Sequence, residues 1–285
     1  MDFFSQIIAF LMAICMVFTG FMDNGEVKTS SEAELVREDK LVFTDAMYAG
    51  QGITTDGEYF YTSGSLAGIG IAGLSKWNID TMELVKNNPD ALPEKYVELY
   101  NTDHIGGISY YGGKIYAAVE NKEEDFPLIV VYDSETLEQV DLFKIPNTNL
   151  SDGIPWCAVD GDNGYLYCSP FKNVTGILAF DLETMEYSHT IPLSEEITRI
   201  QGGEVYDGVL YLSYDMANSN KDYVLTVNAL TGKVDTLFSR TLPSLAGNEA
   251  EGLTVFLQED GAFIHVLDYD KTVGVYLRRY KLLDN

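Results

Sequence analysis

Basic residues are scarce in this sequence. Lysine and arginine number 18 against 44 aspartate and glutamate residues, so the 285-residue chain has a formal charge of −26 at pH 7. A surface of that sign repels a phosphate backbone, which excludes nucleic acid as an expected partner. The acidity either keeps an exported protein soluble or attracts Ca²⁺ or a cationic ligand. No cofactor signature is evident, and Ca²⁺ is the one ion that the composition favours.

Long hydrophobic runs are also rare, since only residues 3–22 form one. A run of about twenty apolar residues suits either an export signal or a membrane anchor. An early positive charge and a small-residue cleavage site are both missing. The sequence therefore leaves open whether this segment is cleaved off as a signal peptide or retained as an anchor. We expect residues 1–22 to be a signal peptide or N-terminal membrane anchor, 23–39 a polar tether and 40–285 one domain. The protein would then be secreted or attached to the outer face of a membrane.

Cysteine is limited to three residues, two of which flank one predicted hairpin. Cys157 and Cys168 lie symmetrically about the turn, so strand alternation pairs them across the two strands. Such a pair can form a disulfide in an exported protein. Two buried thiols are the alternative.

Five hairpins of one design recur along the chain. They read GQGITTDGEYFYTS, HIGGISYYGGKIYAAVE, WCAVDGDNGYLYCS, IQGGEVYDGVLYLSYD and EAEGLTVFLQEDGAFIHVLD. Aligned residues of their second strands are Tyr61, Tyr116, Tyr167, Tyr211 and His265, at spacings of 55, 51, 44 and 54 residues. A period near fifty that begins with a hairpin is typical of a four-stranded propeller blade.

A second motif ends the third strand of the first four units. Asp or Asn is followed by two variable residues and then Thr, as in Asp133-Ser134-Glu135-Thr136. Such side chains accept or donate hydrogen bonds to the nearby backbone in tight turns. The fifth unit lacks an outermost strand, and a strand at Leu41–Phe43 is left over before the first unit. Pairing the two closes the ring without a free edge. The sequence thus predicts an all-β, five-bladed β-propeller with four-stranded blades, which we expect to be a monomer.

On these repeats the chain resembles five-bladed β-propellers of the broad YVTN or quinoprotein-like class. Gln51-Gly52 and the stretch Glu249–Leu253 also resemble plant-type glutaminyl cyclases, a resemblance that implies aminoacyl cyclotransferase activity. WD-repeat dipeptides and the tryptophan docking signature of quinone-dependent propellers are absent from the sequence. Neither a scaffold role nor a quinone cofactor is therefore implied.

In a propeller, the loops that enter the innermost strands and those that leave the second strands meet on one face. The predicted ligand-binding residues on this top face are Gln51, Asp103, His104, Glu120, Trp156, Arg199, Gln201, Asp215 and Glu251. If the site holds Ca²⁺, the carboxylates of Glu120, Asp215 and Asp268 are its expected ligands.

The leading hypothesis is an exported propeller that binds a small molecule, glycan or peptide in a polar funnel on its top face. The alternative is an enzyme, either a hydrolase or lyase or a cyclotransferase, in which His104 acts with Glu249 or Glu251. Gln51 stands where five-bladed glycosidases usually have an acidic residue, which disfavours the hydrolase. A further alternative is an extracellular domain that binds other proteins with its outer rim.

Overall fold

The computed structural model describes residues 26–41, 49–66, 71–92, 94–121, 127–146, 153–216, 219–243, 248–258, 261–270 and 274–283. These residues form antiparallel strands in five sheets, with one short helix. None of the helical structure in these ranges is long and apolar enough to cross a membrane. The predicted export or anchor segment, residues 1–22, lies outside the described residues.

Five blades follow one another along the chain after two N-terminal strands, β1 (Lys28–Thr29) and β2 (Ala33–Lys40). Blade 1 contains β3 (Ile53–Thr55), β4 (Tyr59–Leu66), β5 (Ile71–Asn78) and β6 (Leu84–Asn88), and helix α1 (Glu94–Tyr100) follows it. Blade 2 contains β7 (Thr102–Tyr111), β8 (Lys114–Asn121), β9 (Leu128–Asp133) and β10 (Gln139–Lys144). Blade 3 contains β11 (Cys157–Asp160), β12 (Tyr165–Cys168), β13 (Val174–Asp181) and β14 (Tyr187–Ile197). Blade 4 contains β15 (Ile200–Tyr206), β16 (Val209–Asp215), β17 (Lys221–Asn228) and β18 (Val234–Thr241). Blade 5 contains β19 (Asn248–Gln258), β20 (Gly261–Asp270) and β21 (Gly274–Leu282), and β2 completes it.

The innermost strands form a closed ring, because β3, β7, β11, β15 and β19 contact each other in that order and β19 contacts β3. Glycine allows this close approach. A Cβ atom on Gly252 would lie 2.4 Å from the backbone nitrogen of Ile53, and one on Gly52 would lie 2.7 Å from the carbonyl oxygen of Gly106. The Gly252 amide donates to the Gln51 carbonyl at 2.6 Å. Blade-to-blade contact at the axis is therefore backbone against backbone.

Closure by an N-terminal strand is confirmed, but the strand is Ala33–Lys40 and not Leu41–Phe43. β2 pairs antiparallel with β21, and β1 adds an edge strand to β18 of blade 4. Leu41 follows β2 and donates its amide to the Val275 carbonyl at 3.0 Å, while residues 42 and 43 lie outside the described residues. Residues 28–39 of the expected tether thus belong to the propeller. One side of an outermost strand faces solvent and is therefore polar, which explains why the sequence predicted a tether at this place.

The turn motif forms as predicted. In blade 2 the Asp133 carboxylate accepts the Glu135 amide at 3.1 Å, the Thr136 amide at 2.8 Å and the Thr136 hydroxyl at 2.9 Å. These bonds, those from Thr136 first, lower the pKa of Asp133. Asn78, Asp181 and Asn228 accept equivalent bonds in blades 1, 3 and 4.

The predicted pairing of Cys157 with Cys168 is present in the register of β11 and β12. Both residues are buried free thiols. Burial raises the pKa of the Cys168 thiol to about 12, so it is protonated at neutral pH. The structure therefore has the second of the two arrangements that the sequence left open.

Candidate functional site at the axial entrance

The axial entrance, defined here by Gln51, Arg199, Asp215, Glu249 and Glu251, joins blades 1, 4 and 5. Gln51 precedes β3, and its amide nitrogen Nε2 lies 3.4 Å from Glu251 Oε1 on β19. Arg199 directly precedes β15, while Asp215 ends the neighbouring strand β16. The structure thus brings five of the predicted residues to one end of the ring.

Glu251 is the most unusual residue of the axial entrance, since its side chain is buried with 2% of the residue exposed. The pKa of Glu251 is raised well above its usual range, first by burial and then by the negative charges of Glu249, Asp215 and Asp268. A bulge between Ala250 and Leu253 shifts the register of β19 at this point. Glu251 therefore keeps its proton to a higher pH than an exposed glutamate does, and the protonated form offers an O–H donor.

Arg199 and Asp215 form a bidentate ion pair. Arg199 Nε donates to Asp215 Oδ1 and a terminal guanidinium nitrogen donates to Oδ2, both at 2.7 Å. The arginine lies over the ring of Phe171 at 5.0 Å, and its side chain is 26% exposed. Its backbone adopts a left-handed φ of 54°. The guanidinium is thus held in one orientation while part of it faces solvent.

The three expected Ca²⁺ ligands do not converge. Asp268 is buried between two arginines, with Arg240 at 2.6 Å and Arg278 at 2.7 Å. Asp215 pairs with Arg199, and Glu120 belongs to blade 2, where its carboxylate packs over Gly153. Within the described ranges, no group of three His, Cys, Asp or Glu side chains is arranged to hold a metal ion. The Asp268 assignment is corrected, because both of its oxygens face guanidinium groups.

Blade 2 places His104 and Asp103 in β7, with His104 directly opposite Glu120 in β8. Burial lowers the pKa of His104 to about 4, so its imidazole is neutral at neutral pH. Gln201 is partly buried in β15.

Trp156 does not line the funnel, which corrects the prediction for this residue. Its side chain is completely buried, and its indole nitrogen donates to the Ser169 hydroxyl at 2.9 Å. The ring packs against Gly203, where an added Cβ would lie 2.6 Å from it. Trp156 therefore belongs to the core between blades 3 and 4.

Glu204, a carboxyl group inside the ring, was not predicted from the sequence. It lies in the innermost strand β15 and accepts hydrogen bonds from the hydroxyls of Thr54 at 3.1 Å, Ser109 at 3.3 Å and Thr254 at 3.3 Å. Burial raises the pKa of Glu204 to about 7 although these bonds oppose the shift. The repeat alignment could have revealed it. The innermost-strand residues opposite the five aligned second-strand residues are Thr54, Ser109, Ala158, Glu204 and Thr254. Glu204 is the only ionisable residue among these five.

Similarity to known proteins is confined to structure. The sequence matches no protein-family model and no curated protein. Similar solved structures include RS223-Beta-xylosidase, with a TM-score of 0.56 and 12% identity, covering 90% of this chain and 96% of that chain. The GH43 protein BlXynB from Bacillus licheniformis has a TM-score of 0.56 and 14% identity over 91% of this chain and 55% of that chain, so this chain spans about half its length. A luciferin-regenerating enzyme has a TM-score of 0.50 and 12% identity over 80% of this chain and 75% of that chain. At these identities the likeness shows the fold alone, that of a β-propeller.

Proposed function

We propose that this protein is an exported β-propeller that binds a small carbohydrate at the axial entrance. The observation that carries the proposal is Glu251, a buried carboxyl group with a strongly raised pKa beside the Gln51 amide. Burying a polar group without compensation is unfavourable, so a ligand that bonds to it gains affinity there. A ligand rich in hydroxyl groups supplies such bonds.

The donors and acceptors at the axial entrance suit sugar hydroxyls. Glu251 donates while protonated, Gln51 both donates and accepts, and the Asp215 carboxylate accepts. The partly exposed Arg199 guanidinium adds a fixed donor. Two of the similar structures are RS223-Beta-xylosidase and the GH43 protein BlXynB, so β-xylosides are the first sugars to test.

Titration calorimetry with methyl β-xyloside and xylobiose tests the proposal. Glu251→Ala should weaken binding about tenfold, because one buried hydrogen bond is lost. Glu251→Gln keeps a donor and should weaken binding less. The exposed Glu98 of α1 provides the control variant Glu98→Gln, which should bind as the unmodified protein does. Failure of both sugars to bind, or unchanged binding by Glu251→Ala, would contradict the proposal.

A glycoside hydrolase is the second candidate function. Glycosidases pair a protonated carboxyl group with a second carboxylate, and Glu251 lies close enough to Glu249 and Asp215 for their charges to raise its pKa. Release of p-nitrophenol from p-nitrophenyl β-xyloside measures this activity. An enzyme should lose turnover in Glu251→Gln while it still binds xylobiose, whereas a binding protein releases no p-nitrophenol in either form.

Membership of the YVTN-like class and a glutaminyl cyclase activity are further proposals. A glutaminyl cyclase would cyclise peptides with N-terminal glutamine, with His104 and Glu249 or Glu251 as acid–base groups. Export depends on residues 1–22. N-terminal sequencing of the protein from its native host would show either cleavage near residue 22 or an intact anchor.

A further inference from the structure

A cleft opens between blades 2 and 3, with a volume of about 470 Å³. It lies at the hairpin end of the blades, opposite to the axial entrance. We name it the blade 2–3 cleft, and the residues that matter for its chemistry are Tyr111, Tyr116, Val131, Asp141, Asp181 and Glu183. Its floor is the face of blade 2, and its far wall is the β13–β14 turn of blade 3.

Two of the other gaps between blades are filled by the protein's own basic side chains. Between blades 1 and 2, Lys86 donates to the Glu135 carbonyl at 3.0 Å. Between blades 5 and 1, Arg37 donates to the Asp80 carbonyl at 3.0 Å. Asp80 and Glu135 hold the same place in the turn motif, and the gap beside Arg37 retains a volume of only about 10 Å³.

The strand register shows that Asp141 occupies the position of these two basic residues, whereas blades 3 and 4 have His189 and Asp235 there. Lys86 pairs with Lys76 and Arg37 pairs with Arg279 in the two outer strands of their blades. In blade 2 the same two positions are Asp141 and Val131. These pairs are equivalent because each lies beside the aligned second-strand residue of its blade. That residue is Tyr61 in blade 1, His265 in blade 5 and Tyr116 in blade 2.

The substitution changes both the space and the bonding of the gap. Glu183 is the third residue of its turn, as Asp80 and Glu135 are of theirs, so its carbonyl is the counterpart of the two that accept from Arg37 and Lys86. Asp141 carries no N–H group and cannot make that bond. Compared with blades 1 and 5, two long cationic side chains are thereby replaced by a short acid and a valine, which leave more space in this gap.

The charge of the blade 2–3 cleft is negative. Asp141, Asp181 and Glu183 face one base, Lys114, so three negative charges and one positive charge leave a net charge of −2. Bonds from Thr184 lower the pKa of Asp181, which is therefore ionised. Burial first, and then the charges of Tyr111 and Asp141, raise the pKa of Tyr116, so the aromatic and acidic groups lie close together. Aromatic faces and carboxylates both attract a guanidinium group.

We propose that the blade 2–3 cleft binds an arginine side chain of a partner polypeptide. The guanidinium group takes the place that Arg37 holds in the equivalent gap, donates to the Glu183 carbonyl and the carboxylates, and packs against the aromatic floor. The net charge of the whole chain, −26, attracts a basic partner as well. The inference is independent of carbohydrate binding at the axial entrance.

Amide NMR titration with N-acetyl-arginine-N-methylamide tests the proposal. The expected result is a saturable set of shifts at Tyr111, Gly164 and Glu183, with none at the axial entrance. The capped citrulline analogue has the same shape without the charge and should not bind. The capped lysine should bind several-fold more weakly, because its ammonium group makes no bidentate bonds. Absence of shifts at the cleft, or equal binding of citrulline or lysine, would overturn the assignment.

Three variants identify the cleft as the binding site. Asp141→Asn and Glu183→Gln should each weaken arginine binding about fivefold, which corresponds to about 1 kcal/mol. Asp141→Arg should abolish binding, because the new side chain fills the gap as Arg37 does. The control is Glu195→Gln on the outermost strand of blade 3, which removes one exposed charge and should leave binding unchanged. Unchanged affinity in both Asp141→Asn and Glu183→Gln would refute the proposal even if Asp141→Arg fails to fold.

Discussion

Replacement of Glu204 by glutamine should make the propeller less sensitive to rising pH. In the folded protein, burial raises the pKa of Glu204 from its ordinary value of 4.5 to about 7. The folded state therefore binds a proton that the unfolded state has already released at intermediate pH. Its stabilising contribution is complete below the unfolded pKa and is lost as the pH rises through the folded pKa.

The size of the effect follows from the two pKa values. Each pKa unit corresponds to about 1.4 kcal/mol, so the rise from 4.5 to about 7 corresponds to about 3 kcal/mol. The Glu204→Gln side chain fits the same hydroxyl cage without acquiring charge. Relative to the unmodified protein, the variant should gain about 3 kcal/mol of unfolding free energy between about pH 5 and pH 8.

Urea unfolding of both proteins across this pH range is the assay. Asp222, whose pKa burial also raises to about 7, contributes equally to both proteins, so its effect cancels in the difference. The exposed variant Glu195→Gln controls for the loss of one formal charge. A difference between unmodified protein and Glu204→Gln that stays constant with pH would refute the reasoning, because it would mean that Glu204 has one charge state throughout.

Three further predictions concern the stability of the ring. Asp268→Ala leaves Arg240 and Arg278 buried without this carboxylate and should cost about 3–5 kcal/mol of unfolding free energy. Asp235→Ala breaks an exposed ion pair and should cost less than about 1 kcal/mol. Equal costs of the two variants in urea unfolding would contradict this prediction. Gly252→Ala should destabilise the protein by about 1–3 kcal/mol, because the new methyl group meets backbone atoms of β3, and an unchanged midpoint would show that the ring can widen. Removal of β1 and β2 should abolish cooperative thermal unfolding measured by circular dichroism, since blade 5 loses its outermost strand; an unaltered transition would show that these strands are dispensable.

The architecture could be predicted from sequence because its signals are local. Alternating hairpins and the Asp-x-x-Thr turn recur at a nearly constant period, and each forms its contacts within one blade. The closing strand Ala33–Lys40 could not be recognised in the same way. It pairs with β21, which lies more than 200 residues later, and only one of its two faces contacts the core.

The composition of the site was harder to predict because bulges decide which side of a strand faces the axis. Register shifts occur between Ile105 and Ile108 in β7 and between Ala250 and Leu253 in β19. The position of Trp156 just before an innermost strand predicted a place beside the ligand, whereas its side chain lies in the core. The partners of Asp268 were also not predicted, since Arg240 lies on the outermost strand of blade 4 and Arg278 on the third strand of blade 5.

The repeats themselves show where this propeller differs from a purely structural ring. Each blade carries a row of paired positions from axis to rim, and residues in that row mostly serve packing, as Tyr61 and Tyr116 do. Blade 4 departs from the pattern at the axial end, where Glu204 replaces a hydroxyl residue or alanine. At the rim, blade 2 has Asp141 where blades 1 and 5 have Lys86 and Arg37, and blade 4 also has an acid there, Asp235. Glu204 coincides with a raised pKa, and Asp141 coincides with an open cleft. Chemical specialisation in this chain is therefore found at positions that differ between blades.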